Sequence, residues 1–204
     1  RQRISVPVFG AFNVENLMAT ACALLGLGFT SHETANALSQ VRPVPGRMER
    51  VISTDPPVVI DYAHTPDALK NVLQALREHC GGKLWVVFGC GGDRDRGKRP
   101  QMGAIASAMD DVVILTDDNP RTEKSEDIIR DIESGMPAGR ATVIPCRDQA
   151  ILFAIKGAVS GDLILIAGKG HECTQEINGV KFHFVDREEV EKASRLLNPL
   201  AETV

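Results

Sequence analysis

Val112-Val113-Ile114-Leu115-Thr116-Asp117-Asp118-Asn119-Pro120-Arg121 runs from four consecutive aliphatic side chains into an acid, an amide, a proline and a guanidinium. A solidly aliphatic run of this length predicts a strand buried on both faces, as in a parallel sheet covered by helices. Open α/β sheets bind ligands at the carboxyl ends of their strands, and Asp118 to Arg121 falls at such an end. An acid accepts from an ammonium and an arginine forks onto a carboxylate, so the quartet suits one end of a zwitterion. Pro120 stiffens the turn between them. The plainer reading of the same residues is an Asp-capped turn with a surface arginine.

On either side the pattern alternates between strand and helix. Val58 to Ile60, Leu84 to Phe88, Thr142 to Pro145 and Leu163 to Ala167 read as further short apolar strands. Thr65 caps a helix opened by Pro66, with Leu69, Val72, Leu73 and Leu76 on one face and Gly81-Gly82 after its end. Helices also follow over Gln101 to Met109, Ser125 to Ser134 and Asp148 to Ala158. This order predicts an α/β chain with a doubly wound, mainly parallel sheet. Val180 to Val185 reads as an antiparallel edge strand, and Arg187 to Leu197 as a last helix. Upstream, Leu17, Ala21, Leu24 and Leu25 mark a helix capped by Asn13 and stopped by Gly26 or Gly28, and Thr30 to Val41 a second one. Pro43, Pro45 and Gly46 then interrupt the pattern, which places a domain boundary between residues 1–43 and 44–204.

Composition sets bounds on function. With 204 residues, 43% hydrophobic, and a net charge of −4, the chain reads as an ordinary globular protein without a broad polyanion-binding surface. Its basic cluster, Arg94, Arg96, Lys98 and Arg99, is interleaved with Asp93 and Asp95 and lacks aromatics for base stacking, so no nucleic acid is expected. The five cysteines are odd in number and form no C-x-x-C pair, which argues against a disulfide framework or a zinc site and for a reducing cytoplasm. No segment has the length and apolarity of a membrane span, and the amino end has no apolar signal core. The first residue is not Met, and the chain reads as cut from something longer.

The loops after the other strands hold most of the remaining unusual residues: Asp61-Tyr62-Ala63-His64-Thr65-Pro66, Gly89-Cys90-Gly91-Gly92-Asp93-Arg94-Asp95, and Gly168-Lys169-Gly170-His171-Glu172. Gly89-x-Gly91 invites a dinucleotide-binding reading, but the third glycine of that fingerprint falls on Arg94. Two alternatives stand beside it. The glycines let the backbone turn tightly before Pro100 starts a helix, or they carry Arg94 over a ligand carboxylate while Asp93 and Asp95 hold it. Gly168-Lys169-Gly170 resembles part of a phosphate loop, yet no complete G-x-x-x-x-G-K-[ST] occurs in the chain. Glu172 reads either as an acceptor for a substrate ammonium or as a solvated carboxylate. His64 and His171 read as acid–base groups or as hydrogen-bonded loop histidines.

Taken in order, these loops, together with Pro45-Gly46-Arg47-Met48-Glu49-Arg50, resemble the carboxyl-terminal part of the Mur ligases over nearly the whole chain. The resemblance implies a Rossmann-like carboxyl-terminal domain over residues 44–204, preceded by the helical end of a central ATP-binding domain. It implies an ATP side comprising Asn13 and Asn16 near the adenine, Arg47 at the phosphates, Asp61 at the ribose, and His64. It implies an amino-acid site made by Arg94, Asp118, Asn119, Pro120, Arg121, Gly168 and Glu172. The two arginines would take the distal carboxylate of meso-diaminopimelate, and Asp118, Asn119 and Glu172 its amino group. Family members that use lysine depart from Asp-Asn-Pro-Arg.

The implied reaction is ATP-driven amide formation through an acyl phosphate. The second partner is a UDP-N-acetylmuramoyl dipeptide, held mostly by domains outside these residues, as are the Mg2+ ligands and the phosphate loop. No catalytic residue and no metal ligand is expected within this chain, and the chain alone is expected to be inactive. Rival expectations are a nucleotide-dependent oxidoreductase built on Gly89 to Arg94 and an amino-acid-sensing module. Folylpolyglutamate synthase shares the implied architecture, but Asp-Asn-Pro-Arg argues against it.

Overall fold

A computed structural model describes residues 4–6, 8, 10–51 and 54–197. The chain divides into two compact units, Arg1–Val44 and Pro45–Val204.

In the first unit α1 (Ala11–Gly26) packs against α2 (Ser31–Ser39). Thr30 and Glu33 form a capping box at the start of α2: Glu33 N donates to Thr30 Oγ1 at 3.2 Å and Thr30 N to Glu33 Oε2 at 2.8 Å. Asn13 is not the cap of α1. The helix begins at Ala11, directly after Gly10 at φ 86°, so Asn13 and Asn16 stand inside its first two turns. Three positions apart, they are neighbours on one side of the helix.

The second unit is built on a six-stranded sheet in the order β1-β2-β6-β3-β4-β5. Its strands are β1 (Glu49–Val51), β2 (Val58–Asp61), β3 (Leu84–Phe88), β4 (Val112–Leu115), β5 (Ala141–Val143) and β6 (Leu163–Ala167). All neighbours run parallel except β1, which pairs antiparallel with β2. The aliphatic runs explain the arrangement, since every residue of β3 and β6 is buried and such strands need helices on both faces. Val58, Ile60, Trp85, Val87, Ile114, Ile164 and Ile166 face α6 (Arg147–Gly157) and α7 (Asp186–Leu197). The alternate residues Val59, Val86, Phe88, Val113, Leu115 and Leu165 are equally buried and point the other way. That face is covered by α3 (Pro66–Arg77), α4 (Lys98–Met109) and α5 (Ser125–Glu133), which pack α3 on α4 and α4 on α5.

The sheet departs from the sequence expectation at its polar ends. Val180 to Val185 adds no strand to the main sheet. Instead β8 (Val180–His183) pairs with β7 (Thr174–Ile177) in a separate hairpin. Its turn is Asn178-Gly179, at φ 49° and 75°, the dipeptide that a two-residue hairpin favours. The antiparallel edge strand is β1, whose Glu49 and Arg50 hide it from an apolar pattern search. Helix α4 starts at Lys98 rather than Gln101, because Arg99 is drawn fully into the protein.

In this order β2, β6, β3 and β4 stand side by side. The four loops leaving their carboxyl ends, residues 62–65, 168–173, 89–97 and 116–124, therefore share one rim.

Candidate functional site

The glycines after β3 make a close approach between two loops possible. A Cβ on Gly89 would come within 2.0 Å of Thr116 O, and one on Gly92 within 1.9 Å of Pro120 O. Gly92 N in turn donates to Asn119 O at 2.9 Å. The glycine loop is thus pressed onto the Asp118–Arg121 loop, and the nearest helix begins only at Lys98. No helix begins directly after these glycines, as the dinucleotide fingerprint requires, and the oxidoreductase reading finds no support.

Asp118 and Asn119 are buried, at 8% and 6% exposure, and Lys169 is completely so. Asn119 Nδ2 donates to Asp118 Oδ1 at 3.0 Å and to Glu172 Oε2 at 2.9 Å, bridging the two carboxylates. Its Oδ1 accepts from Lys169 Nζ at 3.2 Å and from Glu176 N at 2.9 Å. An amide has two donor hydrogens and two acceptor lone pairs, and all are taken within the protein. Asn119 was expected to receive a ligand amino group alongside Asp118 and Glu172. In this arrangement it spaces and orients those two carboxylates instead, and Asp118 Oδ2 and Glu172 Oε1 remain for a ligand. Asp118 Oδ2 stands against Gly168, whose φ of 112° and missing side chain make room: a Cβ there would lie 2.5 Å away. Burial raises the Asp118 carboxyl above its ordinary range. Arg147 and Lys169 oppose that rise, while Glu172 and Asp186 add to it. Ligand cations that reach this carboxylate would therefore bind at a site already rich in negative charge.

Arg121 is held from two sides. Its Nη1 donates to Gly92 O at 2.7 Å, and its Nε lies 3.5 Å from Glu176 Oε2. Its backbone sits in the left-handed region at φ 52°, kept there by Arg121 N to Glu176 O at 3.0 Å and Asn178 N to Arg121 O at 2.7 Å. The β7–β8 hairpin thus straps the quartet in place, and Gln175 Nε2 adds a bond to Asp118 O at 3.0 Å. Gly91 lies between the two arginines, since a Cβ there would be 2.9 Å from Arg121 Nη1 and 3.5 Å from Arg94 Cγ. Arg94 is exposed and, among the described residues, donates to the Asp93 carbonyl at 3.2 Å. Asp93 and Asp95 do not clamp it as expected. The Asp93 carboxylate takes Thr122 Oγ1 at 2.7 Å and the Asp95 carboxylate takes Gly97 N at 2.8 Å, both to shape the loop.

These residues border one cleft of about 460 Å3, lined among others by Arg94, Asp118, Asn119, Arg121, Gly168 and Glu172. Carboxylate oxygens and guanidinium groups therefore share a single opening, with Pro120 shaping the turn between them. Cys90 also lines the cleft, but burial pushes its thiol up to about 12, too high for a thiolate nucleophile at neutral pH.

The residues expected on the ATP side divide. Gly46 and Gly170 press together so closely that a Cβ on Gly46 would meet His171 N at 2.1 Å, which binds the Pro45–Met48 turn to the loop after β6. Arg47 is exposed on that turn, its guanidinium carbon 4.7 Å from the Tyr62 ring centroid. The His64 and His171 rings gather on the same tyrosine, at 4.5 and 5.1 Å. His64 Nδ1 pairs with Tyr62 O at 2.8 Å, and His64 lines the cleft described above. Asp61 was expected to meet a ribose. It is buried, accepts Met48 N at 2.8 Å, and holds the turn that carries Arg47. Burial raises its carboxyl, against the backbone N–H groups of Met48 and Ala63 and the charges of Arg47 and His64. Asn13 and Asn16 belong to the first unit and are described with it. Among the described residues no group of three or more His, Cys, Asp or Glu could hold a metal ion.

Three supporting cations escaped the sequence reading. Arg147 is fully buried, paired with Asp186 at 2.7 Å, and donates to Ala167 O at 3.0 Å, fixing the end of β6. Arg99 is fully buried between Glu123 at 2.7 Å and Asp131 at 2.8 Å and donates to Gly91 O at 3.2 Å, anchoring the glycine loop. Glu123 is held down to about 2, chiefly by its hydrogen bonds from Arg99. Lys169 is the third. Its signal lay within Gly168-Lys169-Gly170, where the glycines drew attention to phosphate.

Comparison with known proteins identifies the family and the fold. Residues 46–170 match the family described as Mur ligase, glutamate ligase domain. The chain is 51% identical over 189 residues to the UDP-N-acetylmuramoyl-L-alanyl-D-glutamate--2,6-diaminopimelate ligase of Pseudomonas aeruginosa, covering 92% of this chain and 39% of the relative. It is 50% identical over 191 residues to the protein of the same name from Coxiella burnetii, covering 93% and 39%. This chain thus spans about two fifths of the length of the curated relatives it matches. A solved structure of a ligase of that name superposes with a TM-score of 0.73 at 45% identity, over 95% of this chain and 40% of the other. The folylpolyglutamate synthase of Mycobacterium tuberculosis, at 21% identity and a TM-score of 0.66 over 95% of this chain and 41% of the other, shares the fold alone. On the match of residues 46–170 and the shared fold, the chain belongs to the Mur ligase family.

Proposed function

We propose that this chain is the carboxyl-terminal part of an ATP-dependent ligase that joins meso-diaminopimelate to a UDP-N-acetylmuramoyl dipeptide in peptidoglycan synthesis, working in the cytoplasm. The observation that carries this reading is the single cleft in which Asp118 and Glu172, bridged by Asn119, share an opening with Arg94 and Arg121. Such a lining suits an amino acid whose far end carries both an ammonium and a carboxylate. A diamine without the distal carboxylate would leave the two guanidinium groups without their partner. The names of the relatives at 51% and 50% identity support the same substrate class.

Within this chain the work is binding and alignment. The carboxylate pair would hold the ammonium, Arg94 and Arg121 the carboxylate, and together they would present the free amine of the same molecule for attack on an activated acyl group. Proximity of this kind can supply roughly 7–11 kcal/mol of a barrier. Residues 1–43 are read as the end of an ATP-binding domain, with Asn13 and Asn16 on its nucleotide side. Arg47 fits a contact to ATP phosphates, being an exposed cation held over Tyr62. Asp61 fits a ribose less well, because its carboxylate is engaged by the Met48 backbone. Mg2+ would be held mainly by residues upstream of this chain together with the ATP phosphates.

The test is substrate choice by the gene's full-length product supplied with ATP and the UDP-linked dipeptide. The expected kcat/KM favours meso-diaminopimelate over L-lysine by around 10⁴, as for a site built to pair a substrate group that the wrong substrate lacks. Equal use of the two amino acids would sink the reading.

A further inference from the structure

Lys169 cannot touch a ligand in this structure, yet it is a completely buried cation paired with one member of the carboxylate pair, Glu172, at 3.2 Å. Its three N–H donors go to Asn119 Oδ1 at 3.2 Å, Glu172 Oε2 at 3.2 Å and Thr174 O at 2.7 Å. An ammonium has three donors and no acceptor, so it is saturated. Burying a charge is unfavourable unless its surroundings require it, and here they do. Glu176 N can only donate, so the atom of Asn119 facing it must be the oxygen. Lys169 donates to that same oxygen and reinforces the choice. With the oxygen so placed, Nδ2 must face Asp118 and Glu172.

Without the lysine, Glu172 Oε2 would lose its charge partner. The Glu172 side chain, 32% exposed, would then be free to swing toward water, away from another carboxylate of like sign. Thr174 O ties the same ammonium to the first residue of β7, the strand whose Glu176 backbone holds Arg121.

We propose that Lys169 is a positioning residue for the amino-acid site: by gripping Asn119 Oδ1 and Glu172 Oε2 together, it keeps Asp118 Oδ2 and Glu172 Oε1 available as a paired acceptor for the substrate ammonium. This rests on the function proposed above. It adds a residue that acts through Asn119 and Glu172 and needs no contact with substrate.

The experiment uses the full-length protein with Lys169→Met, Lys169→Gln, Glu172→Gln and the Lys169→Met/Glu172→Gln pair, following initial rates with meso-diaminopimelate and with ATP as the varied substrate. Loss of one partner of a buried charge pair should raise KM for meso-diaminopimelate about 30-fold or more while KM for ATP stays within about threefold. Adding Glu172→Gln to Lys169→Met should cost less than it does in the unaltered protein, because the two side chains act as one unit. A purely structural lysine would raise both KM values together and give additive effects, and either result overturns the proposal. An unchanged KM for the amino acid in a folded variant does so too. If Lys169→Met fails to fold by circular dichroism, Lys169→Gln, which keeps an amide donor, carries the same comparison. If the unaltered protein takes no meso-diaminopimelate, the proposed function falls and this inference with it. If it does take it and the variants behave normally, only the inference falls.

Discussion

Arg121, the residue proposed to meet a substrate carboxylate, is held in a fixed conformation by its own surroundings. A non-glycine residue at φ 52° is uncommon and persists only where its surroundings over-determine it. Two backbone hydrogen bonds to the β7–β8 hairpin do so, and Gly92 O fixes the guanidinium. Truncation would remove a contact made to one substrate and not the other. In the full-length protein, Arg121→Ala is therefore expected to raise KM for meso-diaminopimelate about 100-fold and KM for ATP less than about threefold. Steady-state rates with each substrate varied would check this, and equal effects on both would count against the role. The sequence revealed Asp118, Arg121 and Glu172 as candidates because unusual polar residues at strand ends stand out against aliphatic runs. It could not reveal that the Asn119 amide is fully engaged by its neighbours, nor that Lys169 is buried, since lysine is ordinarily a surface residue.

At the scale of elements, the buried strands were legible and the polar ones were not. β3, β4 and β6 carry unbroken apolar runs, whereas β1 and β7 contain Glu49, Arg50, Gln175 and Glu176 and are ordered by antiparallel pairing with β2 and β8. Tertiary context also set the start of α4, where Arg99 is held inside by Glu123 and Asp131.

The far end of the same helix carries an unfavourable group. Asp110, at the carboxyl end of α4, is 6% exposed, and both its carboxylate oxygens lack a hydrogen-bond partner. Burial raises its pKa from the ordinary carboxylate range to about 8. Arg77 and Arg140 oppose the rise and Asp111 adds to it. An acid whose pKa is higher folded than unfolded binds more protons in the native state, so stability falls as pH rises from about 4 to about 8. Asp110→Asn removes that slope and should stabilise the fold at pH 8 by about 1–3 kcal/mol. Urea titrations at pH 5 and pH 8 on both proteins would show it. A wild-type stability that rises over this interval would refute the assignment.

For the molecule as a whole, the proposed amino-acid site is expected to depend on residues outside this chain for activation of the acid. No phosphate-loop sequence occurs in its 204 residues. The purified chain is accordingly expected to release no phosphate from ATP and form no amide when given all substrates, as followed by a coupled phosphate assay. Measurable turnover would disprove the division of labour.

The strand order carries a further consequence. β6, formed by Leu163–Ala167, lies between β2 and β3, more than a hundred residues after the first of them. As the polypeptide leaves the ribosome, β2 and β3 therefore have no partner between them, and their facing amides and carbonyls wait for a late arrival. Any nascent product that stops before Leu163 is left with a gap in the middle of its sheet rather than a missing edge. Such chains present two sticky strand borders to their neighbours, so aggregation is expected until synthesis has passed Ala167.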